Sequence, residues 1–456
     1  MAVLLKNYKP LYNILRRGYS NAPNAIQSVL YVSRDKATAV NAYVTPCVEF
    51  DFQKLCESVN LRKLNINMAE IVALWNYYKH LESNKNQLEH KKQFIVDSLR
   101  MLSKEPLTDQ ITDKMNKLKT HGKFVREDLK VMKEKLNVLE SDVILRMLNL
   151  PNVVHPNTPK EDIIVHEFES KPSTELSHLN VGTKLNLIEY NNPQYYFLKG
   201  DAAMLELHIM NYGSHIFSNE DFIPVSNPDF VRSIVVEGCG RPLYDDSSTF
   251  ILKNKDDNPY DDLHLVGGSS VLEFMAIHTK NMVYSSILPL KYFNIGRKYT
   301  PTDNNCVSSS AGLFTASQST TLEIFIATLD SDDQCGNEFK NVLDLVTQLY
   351  EMLGYHFRIV YKCPENLHKW ESFRADIEMF SSSLNDYVVI GHISISDSYY
   401  SKRLMFQYVD NKEKFYPKVI SGCIIDYPKL LGCILEQKCF ENSSEIIPSH
   451  IMSFQL

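Results

Sequence analysis

The sequence has one long stretch without any positive charge, because no lysine or arginine occurs between Tyr299 and Phe339. The same stretch carries acidic residues at Asp303, Glu323, Asp330, Asp332, Asp333 and Glu338. Proteins hold phosphate groups with fixed cations or with N–H donors aimed at the oxygens. A phosphate brought to this part of the chain would meet repulsion, which argues against phosphate chemistry there.

Other common signals are missing as well. No apolar run is long enough to cross a bilayer, so no transmembrane span is expected. The nine cysteines are odd in number and contain no CxxC pair, which argues against a disulfide framework and a four-cysteine zinc site. Neither a GxGxxG fingerprint nor a Walker loop occurs. We therefore predict neither a metal nor a bound cofactor.

The amino terminus is basic and free of acids over its first 34 residues. Its cations are Lys6, Lys9, Arg16, Arg17 and Arg34, interspersed with leucine and isoleucine. This composition predicts a mitochondrial transit peptide over residues 1–19, cut after Tyr19; the alternative is a frayed basic terminus. Removing the first four cations would change the net charge from −7 to −11.

Residues 68–147 follow a different pattern, in which apolar side chains recur at alternating spacings of three and four. Two such runs, with Pro106 between them, predict two long helices in an antiparallel coiled-coil arm. Residues 20–67 are assigned to an N-terminal extension and a lead-in helix.

The second half of the arm is strongly basic, with eight cations and three acids between residues 114 and 135. A basic rod on an acidic protein is typical of contact with a polyanion, whereas the alternative is a solvated coiled-coil face. Because aromatic residues are sparse there, we expect phosphate contact rather than base stacking. The candidate RNA-binding residues are Lys114, Lys117, Lys119, Lys123, Arg126, Lys130 and Lys133.

Beyond the arm, a polar linker over residues 148–184 precedes a body over residues 185–456. Short strand patterns occur at residues 283–290, 321–329, 357–362, 387–396 and 403–409. Residues 337–353 predict an amphipathic helix that ends at Gly354. These elements indicate an α+β protein in which an antiparallel sheet is flanked by helices.

Three segments carry a family resemblance. Leu150, Pro151 and Asn152 follow the arm, residues 222–232 read FIPVSNPDFVR, and residues 236–240 read VEGCG. Together with the arm, these segments resemble seryl-tRNA synthetase, a class II aminoacyl-tRNA synthetase, over roughly residues 48–436. The resemblance implies a tRNA-binding arm, an antiparallel-sheet catalytic body and a dimer interface around Pro228.

The sequence departs from the family at the positions that hold ligands. Gly268, Ser269 and Ser270 replace a Thr-Ala-Glu step that holds the serine amino group, and Asn294 and Gly296 replace the arginine and glutamate of a Phe-Arg-x-Glu step. Val389 replaces a metal-binding glutamate and Lys429 replaces an arginine. On the return strand, the replaced positions are Ala311, Thr315, Ser317, Ser319 and Thr321. His278, His392 and Cys306 do not make a substitute catalytic set, so we predict a class II pseudoenzyme without catalytic residues.

Within the family, the chain resembles the catalytically silent paralogues of the mitochondrial enzyme in insects. That resemblance implies a protein of the mitochondrial matrix that forms a heterodimer with the active mitochondrial seryl-tRNA synthetase and helps to hold serine tRNA. It also implies a role in mitochondrial proteostasis and DNA maintenance, with a matrix Lon-type protease as a further partner. The alternatives are a coiled-coil scaffold without RNA contact and an active seryl-tRNA ligase with an unusual site.

Overall fold

The computed structural model describes residues 28–30, 51–104, 109–243, 245, 247–252, 262–302, 311–448 and 451. The predicted transit peptide, Pro106 and Cys306 lie outside these residues. The described chain divides into two units, which we call the arm and the body. The arm comprises residues 28–30, 65–104 and 109–150, and the body comprises residues 51–64 together with the described residues from 151 onward.

The elements have the following bounds. The α-helices are α1 Phe52–Leu61, α2 Met68–Leu102, α3 Asp109–Leu148, α4 His178–Lys184, α5 Asp201–Asn219, α6 Ser233–Gly238, α7 Val271–His278, α8 Asp332–Leu353, α9 Tyr399–Leu404 and α10 Tyr427–Gln437. The first strands are β1 Ile163–Phe168, β2 Ile188–Asn192, β3 Tyr195–Leu198, β4 Ile223–Pro224, β5 Phe230–Arg232, β6 Phe250–Leu252, β7 Leu263–Leu265 and β8 Met282–Tyr284. The later strands are β9 Leu290–Tyr299, β10 Gln318–Thr328, β11 Phe357–Tyr361, β12 Phe373–Ser381, β13 Asp386–Asp397, β14 Gln407–Asp410, β15 Glu413–Phe415 and β16 Lys418–Asp426. Among these residues, no helix is both long enough and apolar enough to span a membrane.

The arm is a helical hairpin of α2, with 35 residues, and α3, with 40. Ile95, Val125 and Leu129 bury their side chains between the two helices, as the three-and-four spacing predicts. Gly122 permits a close approach there, since a Cβ atom on it would lie 3.4 Å from Ile95 Cγ2. The predicted pair of long helices in an N-terminal arm is therefore confirmed.

An eight-stranded sheet in the order β1-β11-β12-β13-β16-β10-β9-β4 organises the body. All neighbours in it are antiparallel except β4 and β9, which confirms the predicted antiparallel sheet. Leu322, Ile324 and Ile326 alternate along β10 and enter the main core. Helices α5, α8 and α10 pack on that apolar side. The side chains at the alternate positions, among them Thr321 and Glu323, therefore point to the opposite side, which we call the polar face.

Three predictions within the body need correction. Residues 283–290 do not form one strand, because a 3-10 turn at Ser285–Ile287 separates β8 from β9. Residues 403–409 begin in helix α9 and become extended only at β14. The predicted linker over residues 148–184 contributes β1, which pairs with β11 at the edge of the main sheet, and also α4. The predicted helix over residues 337–353 is confirmed as part of α8, and Gly354 ends it with a φ of 72°.

Candidate functional site

The first group of replaced residues forms a turn that is held by internal hydrogen bonds. The Gly268 N–H donates to Asp229 Oδ1 at 2.9 Å, and the fully buried Ser269 hydroxyl donates to the Thr321 carbonyl at 3.0 Å. Ser270 caps helix α7 by accepting the Leu272 N–H at 3.3 Å. These groups are therefore engaged within the fold, and none of the three side chains carries a charge for an amino group.

Asn294 and Gly296 lie on the polar face of β9, in register with Glu323 and Thr321 of β10. The Asn294 side-chain amide donates to the Val225 carbonyl at 2.5 Å, so it points into the protein. A Cβ atom on Gly296 would lie only 2.8 Å from Asn294 Oδ1. Neither position offers the cation that an anionic ligand would need.

The replaced residues of the return segment are mostly buried and uncharged. Ala311 precedes a 3-10 turn at Gly312–Thr315, in which the Thr315 hydroxyl donates to the Gly312 carbonyl at 3.2 Å. The Ser317 hydroxyl is hydrogen-bonded to the Thr302 hydroxyl. Ser319 and Thr321 are buried on β10. This segment presents small uncharged side chains at positions where the family resemblance implies charged or aromatic ones.

A histidine that the sequence analysis missed holds this 3-10 turn in place. His178 Nε2 accepts the Leu313 N–H at 3.1 Å, and its Nδ1 lies 2.5 Å from Glu436 Oε1. Nδ1 therefore carries the proton that it donates to Glu436. A Cβ atom on Gly312 would lie 2.2 Å from His178 Nε2, so this close contact requires glycine. The only available signal was the family position of Gly312, because the partners lie far apart in the chain.

The last two replaced positions differ from each other. Val389 lies on β13 opposite Glu378, and it has no atom that could bind a metal. Lys429 lies in the first turn of α10, with its Nζ 3.1 Å from Asp426 Oδ2. The structure therefore places Lys429 in a local ion pair. Among the described residues, no group of three or more potential metal ligands occurs.

The polar face contains cations that were not singled out from the sequence, and two of them are paired with acids. Lys298 Nζ lies 3.2 Å from Glu323 Oε2, and Arg374 contacts both Asp376 at 2.5 Å and Glu371 at 3.2 Å. Burial raises the pKa of Glu323, and the neighbouring ammonium of Lys298 opposes that shift. Glu323, an acid of the cation-free stretch, is therefore paired with a cation. This pairing reduces the repulsion of a phosphate that composition alone predicts.

Two further titratable groups are buried nearby without catalytic geometry. Burial and, to a smaller extent, the charge of Asp229 together raise the pKa of Glu273 to about 8. Burial lowers the pKa of His278 to about 4, and its ring stacks on Phe406 with centroids 4.4 Å apart. His278 is thus a core histidine, as expected. Burial also lowers the pKa of His392 well below its usual range.

In the arm, all seven candidate cations are exposed on α3. Spacings of four, three, four and three place five of them along one side of the helix. We call these residues the basic stripe: Lys119, Lys123, Arg126, Lys130 and Lys133. Lys133 pairs with Glu89 at 3.1 Å, whereas the other four have no ion pair within the described residues. Lys114 and Lys117 lie on another flank of α3, where Lys117 pairs with Asp113 at 3.3 Å.

Pro228 is exposed, and an apolar surface adjoins it. Strands β5, β7 and β6 form a small sheet whose inner side is held by His264, hydrogen-bonded to Ser233 and Thr249. Its outer side exposes large apolar residues that would be covered in a stable assembly. These are Phe230 at 47%, Leu252 at 44% and Leu263 at 39% exposure.

Comparisons with known proteins find the family that the sequence resembles. Residues 250–438 match the family model of the tRNA synthetase class II core domain (G, H, P, S and T). The serine–tRNA synthetase-like protein Slimp of Drosophila melanogaster is 29% identical, and the match covers 90% of this chain and 88% of that protein. The chain is thus similar to seryl-tRNA synthetases and to a synthetase-like protein. The mitochondrial serine–tRNA ligase of Mus musculus is 24% identical, over 97% of this chain and 85% of its own length.

Solved structures support the fold. The cytoplasmic serine–tRNA ligase of Naegleria fowleri in complex with AMP has a TM-score of 0.75 at 18% identity, covering 89% of this chain and 94% of that one. The seryl-tRNA synthetase of Pyrococcus horikoshii complexed with ATP has a TM-score of 0.70 at 17% identity, covering 87% and 95%. This synthetase-like chain keeps the family architecture, while its polar face carries uncharged side chains and ion pairs at the positions described above.

Proposed function

We propose that this chain is a non-catalytic paralogue of mitochondrial seryl-tRNA synthetase. It acts as a dimer subunit with the active mitochondrial enzyme in the matrix, where its arm helps to bind or orient serine tRNA. One contrast carries the proposal: the replaced ligand positions are mostly buried and supply no cation except the ion-paired Lys429, whereas the arm cations and the surface around Pro228 are exposed. The acid-free N-terminal residues and the mitochondrial serine–tRNA ligases among the relatives support the location.

The loss of catalysis follows from the groups on the polar face. Transfer of an adenylyl group needs donors or cations fixed at the phosphates, because negative charge develops there during the reaction. Asn294, Thr321 and Val389 supply no cation and no metal-binding acid. We expect no serine-dependent exchange of pyrophosphate into ATP by the purified chain. Exchange at the rate of an active synthetase would overturn the pseudoenzyme assignment.

The dimer role rests on the apolar surface beside Pro228. Placing a charge in the middle of that surface should prevent burial against a partner. We expect Phe230→Glu to abolish co-purification with a tagged mitochondrial seryl-tRNA synthetase expressed in the same cells. Met352→Glu, which changes another exposed apolar residue of the body, is the matched control and should leave the association intact. Equal behaviour of the two variants would argue against this surface as the interface.

The tRNA role rests on exposed cations without acidic partners. Release of counterions from RNA makes such binding strongly dependent on salt. Filter binding of serine tRNA at two salt concentrations should give a clearly weaker complex at the higher one. Absence of binding at both concentrations would contradict the RNA role and leave dimerisation as the remaining function.

One observation favours a second candidate, a protein scaffold in mitochondrial proteostasis and DNA maintenance. The arm exposes large apolar side chains, among them Phe94 at 71% and Phe124 at 61%. Such residues on a coiled coil are suited to a partner helix. The same filter-binding assay separates the candidates, because a scaffold of this kind requires no RNA.

A further inference from the structure

Lys298 and Glu323 come together through the register of two neighbouring strands. Glu323 of β10 lies directly opposite Asn294 of β9, and Lys298 follows Asn294 by four residues. Alternation along a strand places Asn294, Gly296 and Lys298 on the same side. The Lys298 side chain can therefore extend back along β9 to Glu323, and its Nζ lies 3.2 Å from Oε2.

The pair lies among the replaced ligand residues and is largely buried. The Glu323 side chain is only 3% exposed and that of Lys298 is 24% exposed. Between Lys298 and Asn294, the polar face of β9 carries Gly296, so no side chain of that strand stands in the way. Glu323 is the acid that remains on the return segment, and Lys298 is its ion-pair partner among the described residues.

A buried, ionised carboxylate is stabilised by a nearby cation, and Glu323 has Lys298 in direct contact and the charge of Arg241 close by. Removing one member of such a pair leaves an uncompensated buried charge, which is strongly unfavourable. A free amine that competes for Glu323 must displace a tethered ammonium, which is present at a high effective concentration. Any outside ligand for this carboxylate is thus at a disadvantage.

We propose that Glu323 is the core of a binding site for a primary ammonium, and that Lys298 fills this site as a permanent internal occupant. Glu323 is thereby kept from binding free amino acids and other small primary amines. This inference rests on the proposed loss of catalysis and deepens it, because it gives a reason for exclusion that does not involve phosphates. Its test uses stability rather than activity, so its failure is distinct from a positive pyrophosphate-exchange assay.

The test compares thermal unfolding of the full chain with and without a small amine. Lys298→Ala removes the ammonium and its stem, so the melting temperature should fall by several degrees, on the order of 2–4 °C or more. Ethylammonium chloride should restore part of this loss with saturation, whereas equal sodium chloride should not. Wild type and the Lys298→Ala/Glu323→Gln double variant should show no such recovery.

Lys298→Met serves as the matched control, because it keeps a long stem without the charge. It should also lose stability, but ethylammonium should not rescue it, since the stem fills the space. Rescue of the double variant, or equal stabilisation of wild type, would overturn the proposal. So would an unchanged melting temperature in Lys298→Ala.

A reciprocal variant covers the case in which Lys298→Ala fails to fold. Glu323→Ala leaves the ammonium in place and removes the carboxylate, so acetate should raise its melting temperature and ethylammonium should not. If acetate has no effect beyond that of chloride on folded Glu323→Ala, the site does not work as a paired ammonium–carboxylate pocket. Either variant therefore decides the question.

Discussion

The cations of the arm and those on the polar face of the body differ in what they contact. In the basic stripe, Lys119, Lys123, Arg126 and Lys130 are exposed and have no ion pair within the described residues. On the polar face, Lys298 and Arg374 are bonded to buried acids. An exposed cation adds little to folding and remains available to a polyanion, whereas a buried pair is committed to the fold. The arm and the polar face therefore differ in how their charges are paired.

The largest expected effect comes from breaking a buried pair. Arg374→Met leaves Glu371 and Asp376 without their cation, so the free energy of unfolding should fall by about 3–5 kcal/mol. Urea unfolding at neutral pH measures this change. Arg126→Met, the same substitution on the exposed stripe, should change it by no more than about 0.5 kcal/mol. Similar losses in the two variants would remove the distinction between body and arm cations.

The pH dependence of stability offers a second test. The ordinary pKa of 4.5 for a glutamate is raised to about 8 at Glu273 by burial and by Asp229, so the folded state binds its proton more tightly than the unfolded state does. This stabilisation is complete below pH 4.5 and is lost as the pH rises toward 8.

Glu273→Gln should remove this loss of folding stability with rising pH, which amounts to at most about 1.4 kcal/mol for each pH unit. Urea unfolding at pH 5, 6, 7 and 8 compares the variant with wild type. Glu127→Gln, a change at an exposed acid of the arm, should keep the wild-type dependence. A Glu273→Gln curve parallel to that of wild type would contradict the assignment.

The arm allows two variants of equal charge to be compared on one helix. Replacing Lys123, Arg126 and Lys130 with glutamine removes three cations of the basic stripe. Each lost phosphate contact reduces the slope of log affinity against log salt by about 0.7–0.9, so the slope should fall by about 2–3. The matched control replaces Lys114, Lys117 and Lys135, which lie on another flank of α3. Filter binding of serine tRNA over a series of salt concentrations measures the slope for both variants. Equal reductions of the slope would contradict a special role for the basic stripe.

The smallest expected effect concerns the local pair in α10. Lys429 is partly exposed and contacts Asp426, so Lys429→Gln should lower the free energy of unfolding by less than about 1 kcal/mol. Comparing this loss with that of Arg374→Met tests whether the contribution of a body cation to stability increases with its burial. A loss as large as that of Arg374→Met would show that Lys429 is more than a local contact.

The sequence predicts the arm well because its helices repeat a local apolar pattern, which only Lys85, Lys92 and Gly122 interrupt. The antiparallel sheet and the end of α8 at Gly354 are predicted for the same reason, since alternation and a glycine cap are local signals. The pairing of Lys298 with Glu323 could not be predicted, because it depends on strand register between distant segments. The same limit applies to His178 and Glu436, whose contact joins residues 258 positions apart.

Strand β1 limits where the chain can be truncated without damage to the main sheet. Ile163–Phe168 supplies an outer member of the main sheet, although it follows the arm directly in the chain. A shortened form that starts at residue 185 would strip this strand from β11 and leave an unpaired edge prone to aggregation. Beginning at residue 151, together with residues 51–64 supplied separately or through a designed connection, would preserve every strand of the sheet.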